Sequence, residues 1–151
     1  MGNELLYHFF DDDDFLDISD TIKKTEKITA GEIRVAIKEN PPFTKRSTPI
    51  KDLAADEFYK LGMAETRDRT GILIYILLSR REFYILADSG INEKVEQNVW
   101  NNIRDEMVKE FKLGHYLDGV INTIEKVGNI LGKYFPIKPD DTNELSNKVI
   151  V

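Results

Sequence analysis

The chain has no cysteine, so it carries no disulfide framework, no thiolate metal site and no cysteine nucleophile. Its only histidines are His8 and His115, which leaves no histidine pair for zinc. Long hydrophobic runs are missing too. The longest, "GILIYILL" at 71–78, is far too short to span a bilayer as a helix. No basic stretch leads into an apolar one at the N-terminus, so nothing there resembles a secretory signal. These absences predict a cytoplasmic protein with no membrane insertion. Basic charge is not concentrated either. The nearest candidate, "TKRSTPIK" at 44–51, adjoins Pro41, Pro42 and Pro49 and reads as a solvated loop, so no nucleic-acid partner is expected.

What is present suits a single domain. The length of 151 residues is enough to bury a real core. The formal charge of −6 is a local matter. Residues 1–20 hold seven acids and no Lys or Arg, while the rest of the chain holds 20 acids and 21 bases. Much of the excess lies in "HFFDDDDFLDISD" (8–20), where four aspartates stand in a row. Four adjacent side chains point in different directions and do not all reach one ion. One of them is expected to cap a helix and the others to fill its first turn, where carboxylates face free N–H groups.

That helix is expected over residues 12–29, with Phe15, Ile18 and Ile22 at helical spacing and Gly31 as its stop. The alternation Ile33, Val35, Ile37 marks a strand. A proline-rich loop and a helix from Ile50 follow, with Gly62 closing the helix. "GILIYILL" reads as a central strand covered on both faces. "SRR" turns the chain into "EFYILAD" (82–88) to make a hairpin. Val95, Val99, Ile103, Met107 and Phe111 step along one helix, and Tyr116 to Tyr134 mark another. The predicted fold is α/β, a three-layer α/β/α sandwich. Its small mixed β-sheet contains one βαβ crossover and one hairpin. Residues 8–136 form the domain and 137–151 a polar C-terminal tail, either disordered or docked by its last residues.

This topology places the starts of the strands at 32 and 71 on one edge of the sheet, together with the end of the hairpin, residue 72 lying roughly opposite 88. Four acids fall there: Glu32, Asp68, Asp88 and Glu93. Carboxylates on loops, with Gly beside them in "RTG" and "DSG", suit a hard cation such as Ca²⁺ or Mg²⁺. The plainer reading is that Asp88 and Ser89 cap the next helix and that Asp68 pairs with Arg67 or Arg69. This edge also lies opposite the carboxyl ends of the parallel strands, where open α/β sheets usually hold ligands. Tyr75, Trp100 and His115 read as core or helix-start residues.

Three segments carry a resemblance: "TAGEIRVAIKEN", "LGMAETRDRTGILIYILLSRREFYILADSGINEKV" and "FKLGHYLDGVINTIEKVGNILGKYFP". In content and order the chain from 8 to 136 resembles the TPM domain family, and in particular its small soluble bacterial members. The resemblance implies an α/β/α sandwich and divalent-cation binding, chiefly of Ca²⁺, by acids around the central hairpin. It matches Glu32, Asp68, Asp88 and Glu93 to acidic positions of that family and adds Asp118, a first-turn helix position in its own right. Glu93 follows Asn92 where the family usually has Asp. Arg81 matches the family's turn arginine. The role implied is structural or regulatory, exercised through a protein partner. The alternative is a metal-assisted acid phosphatase, for which the sequence offers no clear nucleophile: Ser89 has no histidine beside it.

Overall fold

The segment Gly71–Leu77 (β2) is buried at every position because it is flanked by a strand on each side and by helices on each face. In the computed structural model, which describes residues 3–137, 146 and 148–151, β2 pairs in parallel with Glu32–Lys38 (β1). It also pairs antiparallel with Glu82–Ala87 (β3), giving the sheet order β1-β2-β3. The hairpin turns through Arg81, held at φ +53°, with its guanidinium stacked 4.7 Å over the Phe9 ring. The turn arginine thus has a packing role.

Side-chain alternation divides the interior in two. Ile33, Val35 and Ile37 join Ile72, Ile74 and Ile76 in the larger core, beneath the helices of one face. The other face carries Ala36, Leu73, Tyr75 and Leu77, covered by Leu53, Ala54 and Phe58. These three lie on the helix Ile50–Lys60. The predicted sandwich is therefore the observed one.

In chain order the helices are Glu4–Phe9 (α1), Asp12–Thr25 (α2), Ile50–Lys60 (α3), Ser89–Asn92 (α4), Gln97–Lys112 (α5) and Tyr116–Tyr134 (α6). The aspartate run begins α2 with a reciprocal cap. Asp14 N–H donates to Asp11 Oδ1 at 2.8 Å, and Asp11 N–H donates to Asp14 Oδ2 at 3.0 Å. The helix ends at Thr25, four residues before the expected 29. Thr25 donates its hydroxyl to Ile22 O at 2.6 Å, and the backbone then closes into tighter bonds such as Glu26 N–H to Lys23 O. The helix α1 was not expected. A six-residue helix does not hold itself together, and here tertiary contact does so, with Phe9 packed on Tyr116 at 4.6 Å.

Both rims of the sheet are occupied. On the β1 side, Ile150 N–H donates to Val35 O at 2.9 Å and Ile37 N–H donates to Ile150 O at 2.7 Å. On the β3 side, the amides of Gln97 and Asn92 donate to Ile85 O and Ala87 O, each at 2.9 Å. So Ile150 of the expected tail docks on β1 through a single parallel bridge. The rest of the tail, 138–145 and 147, lies outside the described residues.

Candidate functional site

Strand pairing brings the predicted edge together. Glu32 stands beside Gly71 in the parallel register, and Asp88 N–H donates to Gly71 O at 2.9 Å. The hairpin register is one residue from the expected one, Ile72 facing Ala87. Glu32 is buried at 7 % exposure, which sets it apart from the loop acids.

The two loops at this edge are pressed against each other. Arg69 adopts φ +56°, and its carbonyl accepts the Gly90 N–H at 2.9 Å. A Cβ on Gly90 would stand 2.3 Å from Asp68 O and 2.5 Å from Arg69 O, so no other residue fits there without a shift. Asp88 N-caps α4, its Oδ1 accepting from Ser89 N–H at 2.7 Å. Its other carboxylate oxygen, Oδ2, is buried and has no hydrogen-bond partner.

Asp68 and Glu93 are both exposed and line one cleft of about 380 Å³ beside Thr70 and Gly90. Asp68 is paired with Arg67 at 3.3 Å. Lys94 lines the same cleft, with its ammonium 5.2 Å over the Phe135 ring, so a cation of the protein shares the cleft with the two acids. The cap and the Arg67 pair of the plainer reading are thus both present. Among the described residues, no three Asp, Glu or His side chains stand close enough to hold a metal ion as placed.

Asp118 does not belong to this edge. It lies in the first turn of α6, whereas the helix's last residue, Tyr134, lines the cleft. At 1.5 Å per residue the two are roughly 24 Å apart along the axis. The histidines lie far away as well. His115 pairs with Glu110 at 3.1 Å, and His8 meets Phe9 edge-to-face. That ring belongs to an aromatic cluster reaching Phe83 at the hairpin end of the sheet. No imidazole approaches Ser89.

Sequence reasoning missed the lock of Gly90 on the 68–69 carbonyls, although "DSG" after a strand is a visible sign of close backbone approach. It also read Tyr75 as core alone. The ring is core, but Tyr75 lines a second cleft on the α3 side.

The TPM domain profile matches residues 6–130. Among solved structures, the chain is similar to the BA42 protein of the psychrophilic bacterium Bizionia argentinensis. That similarity is 36% identity and a TM-score of 0.83, over 94% of each chain. It is also similar in fold to the N-terminal domain of a protein from P. gingivalis, at 16% identity and a TM-score of 0.69. There 84% of this chain and 79% of that one are covered. No curated protein matches the chain. Among the described residues no helix is long and apolar enough to cross a membrane.

Proposed function

The chain belongs to the TPM domain family, and on that premise we propose that its loop edge binds a divalent cation, Ca²⁺ before Mg²⁺, in a structural or regulatory role exercised through a protein partner. The observation that carries this reading is the buried, unpartnered Oδ2 of Asp88. An acceptor left in that state costs about 1–3 kcal/mol, and a cation would offset the cost. Asp88 would be the anchoring ligand, with Asp68 and Glu93 from the adjoining cleft. The carbonyl of Asp68, packed against Gly90, would add a further hard oxygen donor, while that of Arg69 already accepts the Gly90 N–H. Calcium takes roughly six to eight oxygens, so water would complete the shell. Such an ion would tie the strand ends to α4. Glu32, buried at the start of β1, would act on the site through its charge. Asp118 is outside this set.

A metal-assisted acid phosphatase is the second reading, and no particular contact favours it. A cation would polarise a phosphoryl oxygen and activate water there, but the adjacent Ser89 has no basic partner among the described residues.

The test is thermal unfolding of chelator-stripped protein with added Ca²⁺ or Mg²⁺, in wild type, Asp88→Asn and Asp68→Asn. An Asn at 88 can still accept the Ser89 N–H, so the cap survives. At a hundred times the dissociation constant the ion should add about 2.7 kcal/mol to wild type, and Asp88→Asn should lose most of that. Absence of any shift in wild type would remove the metal reading. Hydrolysis of an aryl phosphate, followed in the same samples, would promote the second reading if it depended on metal and on Asp68.

A further inference from the structure

The opposite end of the parallel pair also opens into a cleft, and this is where α/β sheets most often hold their ligands. It has a volume of about 290 Å³ and lies between the loop 40–45, which follows β1, and one face of α3. Leu53 and Tyr75 line it from the core. Tyr75 is only 2 % exposed, yet no described residue hydrogen-bonds to its hydroxyl. The hydroxyl itself is not among the fully buried unpartnered atoms, so it keeps access to solvent. The cleft that Tyr75 lines is where that access lies open.

The charges around the cleft are arranged unevenly. Lys45 reaches from the loop to Asp56 on α3 at 2.5 Å, and Lys38 lies 3.7 Å from the buried Glu57. Lys60, one turn beyond those acids on the same helix face, has no carboxylate partner among the described residues. The side-chain amide of Asn40, also on the cleft wall, has no hydrogen-bond partner among the described residues either. The cleft therefore presents one surplus cation, a free amide and a free phenolic donor. Burial first, and the nearby Glu57 carboxylate second, push the Tyr75 phenol up to about 12, so at neutral pH it keeps its proton and donates.

We propose that this cleft binds a small anion-bearing ligand, through a phosphate or carboxylate group that accepts from the Tyr75 hydroxyl and meets Lys60, with Asn40 and Lys45 closing over it from the loop. Asp56 and Glu57 hold Lys45 and Lys38 in place and limit the charge the cleft accepts. The site stands apart from the loop edge, on the other side of the sheet, and does not depend on a metal there.

The experiment is a titration of the full chain, stripped with chelator, followed by two-dimensional ¹⁵N–¹H NMR. One arm uses sodium phosphate and the other sodium acetate, with ionic strength held constant by NaCl. Saturable shifts are expected at Asn40, Lys45, Lys60 and Tyr75, and the arm that saturates identifies the anion. Tyr75→Phe keeps the ring in the core and should weaken binding about tenfold with an otherwise native spectrum. Lys60→Gln should weaken it severalfold. Linear shifts spread over the surface, or equal affinity in Tyr75→Phe, would overturn the proposal. So would shifts centred on Asp68 and Glu93, which would assign the anion to the loop edge.

Discussion

Gly90 lies directly against the carbonyl of Asp68. A methyl group on it would stand 2.3 Å from that oxygen. The loop carrying one candidate ligand is thereby positioned by the loop that follows another.

Gly90→Ala should therefore destabilise the fold by about 1–3 kcal/mol, the usual range for forcing an atom into packed structure. It should also weaken cation binding, because Asp68 would move away from α4. Chemical denaturation reads the first effect and the calcium-dependent midpoint the second. An unchanged denaturation midpoint in Gly90→Ala would show that the two loops separate freely.

The aspartate run offers an internal comparison. Asp11 and Asp14 exchange hydrogen bonds across the start of α2, whereas the Asp13 carboxylate accepts none among the described residues. Asp11→Ala should cost about 1 kcal/mol, and Asp13→Ala should stay within about 0.5 kcal/mol. In Asp13→Ala, a lost dipole interaction is offset by relief of repulsion from its acidic neighbours. Equal losses in the two variants would argue against the cap.

Tyr75 makes a prediction at high pH. Its pKa is raised to about 12 in the folded protein, first by burial, while an unfolded tyrosine ionises near 10. Between those values the unfolded chain releases a proton that the folded one keeps, so stability falls as pH rises from about 10 toward 12. Denaturant midpoints measured across that window should decline in wild type and decline less in Tyr75→Phe. Ultraviolet titration of phenolate gives an independent check. Tyr7 is also raised, chiefly by its hydrogen bond to Asp12, but the component near 12 should vanish in Tyr75→Phe. If that component persists in the variant, Tyr75 is not its source.

Much of this architecture was legible in the sequence for physical reasons. An unbroken apolar strand, two long helices stepping by three and four, and a short basic turn all record burial directly. The convergence of Glu32, Gly71 and Asp88 followed from topology, because strand order alone dictates which ends meet. What escaped lay in tertiary contact. The α1 helix is anchored by the Leu6 N–H to the Glu39 carboxylate at 2.9 Å, a partner 33 positions away. The pairing of Asp68 with its neighbour Arg67 was legible, by contrast, since adjacent opposite charges announce it. Asp118 entered by resemblance alone, and the length of α6 separates it from the edge. The fate of the Tyr75 hydroxyl depends on which groups the loop 40–45 and α3 fail to offer it, and no periodicity encodes that.

A three-stranded sheet exposes two rows of backbone groups, each a template on which another chain can add a strand. Here Ile150 occupies one row, and the amides of Gln97 and Asn92 occupy the other. These three attachments, one on the β1 row and two on the β3 row, leave fewer free backbone groups for a foreign strand to pair with. Loss of any one would return part of a row to solvent, where another chain could pair with it.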